Sequence, residues 1–229
     1  PLMKCWICGA NADSDEHMIK ASDIRCMFGH ISQEHPLFRR VDDARREMVQ
    51  GIRSKKLKFS TPLCSFCNNT RTQQNDQSWT SLCAFLKNRR PAIRPNTVVR
   101  LNGAFTDGLR KSMLGVHLYF LKLFGCLIVG NSIPINIQPF AQSILAGSAH
   151  PNVCLSFLAV SKSRLREHAA ITPVYSVKLG GRIIAANWFY CVGRIAVNVT
   201  YAEAIQKQSS HVHLWHPSSH AKSIIIDDI

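Results

Sequence analysis

Alternating polar and apolar residues indicate that the second half of the chain is rich in strands. Residues 194–201 alternate strictly, which is the period of a half-buried strand. Two further β-rich runs lie at residues 171–179 and 182–192. Gly180-Gly181 between them is a favourable hairpin turn, and Gly193 can serve the next turn. We therefore expect an antiparallel sheet in this region.

Apolar spacing predicts three helices. Between residues 68 and 87, apolar positions three, one and three residues apart form a stripe of Trp79, Leu82, Cys83 and Leu86. Residues 113–129 are the most apolar run, and Pro139 suits the start of a short helix over 139–145. Weaker patterns predict a short helix capped by Ser22-Asp23, a helical face over 41–50, strands at 98–101 and 133–137, and an edge strand at 224–228.

Prolines suggest where the chain divides. Pro91 and Pro95 interrupt the helical pattern, so residues 88–96 are the expected boundary between parts at 1–90 and 96–229. The second part reads as α+β, with the 113–129 helix covering its sheet. A membrane span needs about 20 largely apolar residues. His117 and Lys122 interrupt this run, so a buried helix is the better interpretation.

The net charge of the chain indicates the chemical class of its partner. Lys and Arg number 28 against 14 Asp and Glu, a formal charge of +14 that both parts share. Such an excess favours a polyanion, most often nucleic acid, because binding phosphates releases counterions. A basic surface without that role is the alternative.

Two Cys-x-x-Cys segments are the strongest chemical motif. Cys5 and Cys8 form one pair, and Cys64 and Cys67 form the other. Four thiolates in this arrangement predict one tetrahedral Zn²⁺, which is structural because its coordination sphere is closed. The odd total of nine cysteines and the lack of a signal-like start favour a reducing, cytoplasmic location. The remaining five are expected in the core: Cys26, Cys83, Cys126, Cys154 and Cys191.

The residues beside these pairs suit phosphodiester hydrolysis. Glu16-His17 follows the first pair and Asn68 abuts the second, so the zinc would bring them together. His17 is the natural general base, since imidazole titrates near neutral pH. Glu16 and Asn68 offer the hard oxygen ligands that Mg²⁺ or Mn²⁺ prefers. A plain zinc finger, with Glu16-His17 as ordinary loop residues, is the alternative.

This arrangement resembles the HNH, or ββα-metal, endonucleases, and in particular the recombination endonuclease VII branch. The resemblance covers about residues 1–80 and implies a zinc-stabilised ββα-metal nuclease core. It implies that Glu16 and Asn68 hold the catalytic Mg²⁺ or Mn²⁺ and that His17 activates water. Two positions depart from the pattern: residues 58–60 lack an Asn that braces the His loop in many members, and Glu16 stands where Asp is common.

Several residues remain as further candidates around this site. Arg71, Lys20 and Lys58 are predicted to contact substrate phosphate, together with a basic tract over residues 39–58. Asn69 is an alternative to Asn68 as ligand, because the helix register is uncertain by one residue. His30 and His35 are alternative bases, although neither follows a Cys-x-x-Cys pair in the way that Glu16-His17 does. A C-terminal histidine cluster could contact nucleic acid or a subunit, with a second metal site as the alternative: His211, His213, His216 and His220.

Two functions therefore stand at this point. The first is a metal-dependent DNA endonuclease whose residues 96–229 serve target choice, oligomerisation or regulation. RNA as substrate and a homodimer stay open, and no membrane is expected. By family resemblance, restriction, phage defence or mobile elements would be its setting. The second function is a non-catalytic, zinc-stabilised nucleic-acid-binding protein.

Overall fold

The computed structural model describes residues 3–42, 44–89, 93–106, 108–160, 168–203, 213–219 and 222–228. Its helices are α1 (Ala21–Phe28), α2 (Gln73–Asn88), α3 (Leu109–Gly130) and α4 (Gln138–Ala146). Its strands are β1 (Leu37–Arg40), β2 (Arg46–Val49), β3 (Thr97–Arg100), β4 (Val153–Ala159), β5 (Ala169–Ile171), β6 (Tyr175–Leu179), β7 (Arg182–Val192), β8 (Ile195–Ala202) and β9 (Ser223–Asp228). The fold is mixed α+β, as the sequence predicts.

The segment between the two Cys pairs contains α1 and the hairpin β1–β2. They enclose a small apolar cluster of their own, formed by Ile24, Ile31, Val49 and Leu57. The Asp42 carboxylate accepts hydrogen bonds from the amides of Ala44 and Arg45 and so holds the hairpin turn. The predicted helical face over 41–50 is therefore wrong, because this turn gives β2 a strand partner in β1.

Helix α1 confirms the short helix predicted near residue 22, but its capping was wrong. Asp23 lies inside the helix and is buried. Its Oδ2 accepts hydrogen bonds from Trp79 Nε1 at 2.9 Å and from the Tyr190 hydroxyl at 3.1 Å. The carboxylate therefore joins α1 to α2 and β7, because two buried donors offer it better partners than the helix end.

Helix α2 confirms the predicted apolar stripe. A π-helical turn over Phe66–Arg71 precedes it, and the four stripe residues are at most 3% exposed. Trp79 packs parallel to the Tyr119 ring of α3, with ring centroids 5.9 Å apart. The second Cys pair thus lies shortly before a helix that is packed into the core.

Helix α3 is buried, as expected. By length and composition this helix could cross a membrane, but 83% of its most apolar 18-residue stretch is buried inside the fold. Helix α4 follows with Pro139 in its first turn, as predicted. The strand predicted at 133–137 is wrong: Ile133 and Ile135 bond to carbonyls of Ile128 and Ile133 in a local turn. Pro134, which has no N–H, interrupts any ladder there.

The main sheet has the strand order β3-β9-β4-β8-β7-β5, and β6 also pairs with β7. The hairpins at Gly180-Gly181 and Gly193 are confirmed. The run predicted at 171–179 is split into β5 and β6 around Pro173. Strand β9 is not an edge strand, because it lies between β3 and β4, and its pairing with β4 is parallel. The sheet is therefore antiparallel except at this one pair.

One apolar core joins the zinc-binding segments to the sheet, since it includes Cys5, Cys67, Trp79, Phe124 and Trp188. The division into 1–90 and 96–229 falls between the end of α2 and the start of β3, and it stays a prediction. Of the five cysteines expected in the core, Cys83, Cys126 and Cys154 are buried and Cys191 is half-buried. Cys26 is exposed, because α1 turns Asp23 and Ile24 inward and Cys26 outward.

Candidate functional site

The two Cys pairs meet, as predicted. The Sγ atoms of Cys5, Cys8, Cys64 and Cys67 all lie within 4.8 Å of one another, and those of Cys8 and Cys64 are 3.6 Å apart. Zinc–sulfur bonds of about 2.3 Å in a tetrahedron place the sulfurs about 3.8 Å apart. The four thiolates could therefore hold Zn²⁺. Cys8 is exposed and the other three are buried, which puts the site at the rim of the core.

Local hydrogen bonds shape both Cys segments. Gly9 adopts φ +76°, and its amide bonds to the Cys5 carbonyl at 2.8 Å, which closes the first turn. The Asp13 carboxylate accepts a hydrogen bond from the Ser65 amide at 2.6 Å. This bond lowers the pKa of Asp13. The two segments are thus linked by a hydrogen bond from a backbone amide to a side chain, as well as by the contact between their thiols.

Short backbone pairings then align the candidate residues. Ser14 bridges to Leu63 and His17 bridges to Lys58, both antiparallel. The Phe59 amide donates to the Glu16 carbonyl at 2.9 Å. Residues 14–17 therefore run beside residues 58–63, directly before the turn that carries Asn68.

His17 is held in one orientation. Its Nε2 lies 3.0 Å from the Ile52 carbonyl oxygen, just beyond the β1–β2 hairpin. A carbonyl can only accept, so Nε2 carries the proton and Nδ1 of the neutral ring keeps its lone pair. This contact braces the His17 ring without the Asn that residues 58–60 lack. His30 and His35, the alternative bases, are both exposed.

The side chains of Asn68 and Glu16 point into the fold toward the same place. The Asn68 side-chain amide donates to Ser14 Oγ at 2.9 Å and to the Asp15 carbonyl at 3.3 Å, so its oxygen faces the other way. Asn68 is 7% exposed, whereas Asn69 is exposed. The assignment of Glu16, His17 and Asn68 as catalytic residues stays a prediction: the fold brings the Glu16 and Asn68 side chains together, whereas the His17 ring contacts the Ile52 carbonyl.

The cation at this site belongs to the protein. Lys122 Nζ, from the middle of α3, lies 2.6 Å from Glu16 Oε2, 3.3 Å from Asp76 Oδ1 and 3.5 Å from Asn68 Oδ1. It also donates to Thr72 Oγ1 at 3.1 Å. Glu16 and Asn68 thus face an ammonium group where the sequence predicts Mg²⁺ or Mn²⁺. With Lys122 in this position the residues do not fit a divalent ion between them, since Mg²⁺ requires oxygens at about 2.1 Å.

The electrostatics keep Lys122 charged. Burial by itself lowers the pKa of this fully buried lysine, but the carboxylates of Glu16 and Asp76 raise it, and the net pKa is above the ordinary value. For Asp76, burial raises the pKa and Lys122 opposes that rise only in part. The cluster is thus a buried ion pair with two carboxylates.

The three predicted phosphate-binding residues occupy different environments. Lys20 Nζ donates to the Asp76 carbonyl at 2.6 Å and lies over the Tyr119 ring. Lys58 Nζ is 3.9 Å from Asp15 Oδ2 and half-buried. Arg71 is exposed and lies over the Phe66 ring at 5.2 Å. Their role toward phosphate stays a prediction for all three.

Sequence reasoning missed the roles of Lys122 and Asp76 in this cluster. One signal was available for Lys122: a single lysine deep in an apolar helix requires a buried counter-charge. The sequence could not say which acid that was, because Glu16 and Asp76 lie 106 and 46 positions away.

The C-terminal histidines lie only partly in the described chain. His211 and His220 are outside the described residues. His213 Nδ1 pairs with Asp227 Oδ1 at 2.6 Å, so an acidic partner exists that the sequence pattern did not indicate. His216 Nε2 lies 3.1 Å from the His150 carbonyl oxygen. Within the residues that the structure covers, the four cysteines are the cluster with metal-binding geometry.

Comparison of the chain with protein-family models, with curated proteins and with solved structures finds no match. The resemblance to the HNH endonucleases therefore rests on the motifs in the sequence.

Proposed function

We propose that the chain is an endonuclease of the HNH type that hydrolyses nucleic-acid phosphodiester bonds, with His17 as the general base. The observation that carries the proposal is the contact of His17 Nε2 with the Ile52 carbonyl. Because Nε2 carries the proton, Nδ1 is left as the proton acceptor of the ring, in a segment that pairs with the residues just before the second Cys pair.

The proposed chemistry is a direct hydrolysis. Nδ1 of His17 takes a proton from water, the water oxygen bonds to phosphorus, and the bond from phosphorus to the leaving oxygen breaks. The leaving oxygen takes its proton from solvent. Lys122 compensates the charge of Glu16, so the carboxylate repels an approaching phosphate less. No divalent ion takes part in this step, because the ammonium group lies where that ion would bind.

The β1–β2 hairpin is the proposed contact surface for nucleic acid. Residues 37–58, which are the hairpin and the segment that follows it, contain eight Lys or Arg and three Asp or Glu, and the hairpin itself contributes four and three of these. Phe38 and Met48 are cross-strand partners and are 61% and 44% exposed. A two-stranded ribbon can enter the major groove of DNA, and basic residues bind its phosphates. Ile52, which follows the ribbon, bonds to His17, so a backbone bound along the ribbon would lead to the proposed base.

A second candidate is a nucleic-acid-binding protein without catalysis. The position of Lys122 favours it, because without a divalent ion this site has no cation that contacts the phosphate and stabilises its charge. Lys122 is fully buried and its N–H groups are directed to protein oxygens.

Substitution of His17 separates the two functions. Plasmid, linear duplex DNA and RNA are incubated with the zinc-loaded chain, with and without Mg²⁺ or Mn²⁺. We expect His17→Ala to reduce cleavage by about 10²–10⁴-fold, the usual effect of losing a general base. Gel-shift affinity should stay unchanged. His168→Ala, which removes an exposed histidine elsewhere, is the matched control. Equal cleavage by wild type and His17→Ala would refute the proposal, and binding without cleavage by wild type would support the second candidate.

A further inference from the structure

Four oxygens from separate parts of the chain converge on Lys122 Nζ. Glu16 follows the first Cys pair, Asn68 lies in the π-helical turn, and Thr72 and Asp76 lie at and after the start of α2. Their distances to Nζ run from 2.6 Å to 3.5 Å. The three shortest, to Glu16, Thr72 and Asp76, match the three N–H donors of an ammonium group, and the Asn68 oxygen lies at the outer limit of a hydrogen bond.

The lysine cannot be moved aside at low cost. Its side chain is fully buried, and its helix is part of the apolar core between α2 and the sheet. Asn68 cannot turn its oxygen elsewhere without losing the bonds from its amide nitrogen to Ser14 and Asp15. A divalent ion shared by Glu16 and Asn68 would therefore have to displace a fully buried ammonium group that is paired with two carboxylates.

We propose that Lys122 is the resident cation of this centre and that the folded chain binds no Mg²⁺ or Mn²⁺ between Glu16 and Asn68. The inference rests on the proposed function only for the choice of these two residues as the metal ligands of the HNH pattern. It departs from that pattern in one specific way: a monovalent protein group replaces the divalent ion. Any cleavage that depends on His17 is then independent of added divalent metal.

Mn²⁺ binding tests this inference directly. The probe is Mn²⁺ alone, added to the zinc-loaded full chain and followed by electron paramagnetic resonance of the free ion. We expect wild type and Glu16→Gln to give the same signal, with no Mn²⁺ site that depends on Glu16. Lys122→Ala leaves two buried carboxylates without their cation, and we expect it to gain one Mn²⁺ site and a Mn²⁺-dependent rise in melting temperature. Lys111→Ala, an exposed lysine of the same helix, should behave as wild type.

The wild-type result decides the matter even if Lys122→Ala does not fold. A Mn²⁺ site in wild type that Glu16→Gln removes would overturn the inference. A folded Lys122→Ala variant that gains no Mn²⁺ site would also count against it, because the oxygens would then not form a cation site.

The cleavage assay keeps this test separate from that of the proposed function. Cleavage by wild type without added Mg²⁺ or Mn²⁺, lost in His17→Ala, supports both. Cleavage that requires Mg²⁺ and a Glu16-dependent Mn²⁺ site supports the nuclease and overturns the resident cation. No cleavage under any condition, together with no Mn²⁺ site, supports the resident cation and refutes the nuclease.

Discussion

Two histidines in the core have protonation states that depend on folding. His117 lies fully buried in α3, and its Nε2 accepts a hydrogen bond from the His150 amide at 3.1 Å. Burial, with smaller contributions from His216 and His150, lowers the pKa of His117 to about 3. Burial likewise lowers the pKa of His150 to about 4. Both rings are therefore neutral in the folded chain at neutral pH.

We predict that acidification destabilises the fold through His117. Its unfolded pKa is about 6.5, so below that value the unfolded chain binds a proton that the folded chain does not. Stability is therefore full above about pH 6.5 and declines as the pH falls toward the folded pKa. The loss from this residue is on the order of 2 kcal/mol between about pH 7.5 and about pH 5.

Urea unfolding at these two pH values measures the effect. His117→Gln replaces the ring with a neutral acceptor, so we expect a smaller difference between the two pH values than in wild type. His168→Gln, at an exposed position, should retain the wild-type difference. The same pH dependence in wild type and His117→Gln would contradict the prediction.

The packing of α2 against α3 is the element contact on which the site depends. It brings Lys122 of α3 to Asn68, Thr72 and Asp76 in and before α2. The helices approach closely at Gly115, where an added Cβ would lie 2.9 Å from the Cβ of Ser78. A glycine is required there by space and not by backbone conformation.

We predict that Gly115→Ala destabilises the fold by about 1–3 kcal/mol, the usual cost of overpacking, despite the better helix propensity of alanine. Ser78→Gly removes the clashing group. In that background the same substitution should cost less, and a double-mutant cycle by chemical denaturation measures the coupling. Equal costs in both backgrounds would show that the helices do not meet at this pair.

At the scale of the whole molecule, the Cys cluster joins distant segments. A tetrahedral metal there would connect Cys8 to Cys64, which are 56 positions apart. Cys5, Cys64 and Cys67 are also part of the main apolar core. Zinc at this position would therefore stabilise the sheet as well as the segments that bind it.

We predict that Cys8→Ser removes zinc and lowers the stability of the entire fold in one transition. A cross-link that closes a loop of this length contributes on the order of 4 kcal/mol by chain entropy. Zinc content by mass spectrometry and thermal unfolding by circular dichroism measure the two effects. Cys26 is also exposed but lies outside the cluster, so the control Cys26→Ser should keep both the zinc content and the melting temperature of the wild type. Retention of one zinc per chain by Cys8→Ser would contradict the prediction.

The fold was predictable where the local pattern had one interpretation. The strand β8, the Gly180-Gly181 turn and the stripe of α2 are local, and all are confirmed. The half-burial predicted for β8 is wrong, because its first five residues are buried on both faces of the sheet. Strand β4 was missed because it is buried on both faces and shows no alternation. Strand β9 was placed at an edge because strand order depends on pairing with residues far along the chain.

The candidate site was predictable to a similar extent. The spacing of the cysteines indicates the cluster, because Cys-x-x-Cys pairs are a local motif. The group that holds the His17 ring is a backbone carbonyl, so the identity of the residue at position 52 does not indicate the contact. The partner of Glu16 lies in α3, and only the packing of α2 against α3 brings it there.

The central position of β9 has a consequence for synthesis on the ribosome. Residues 223–228 separate β3 from β4, so these earlier strands cannot be joined in their final order until that segment has emerged. The Cys segments and α2, by contrast, are complete within the first 88 residues. A nascent chain stalled before residue 223 would therefore expose unpaired strand edges, and we expect it to depend on chaperones during that interval.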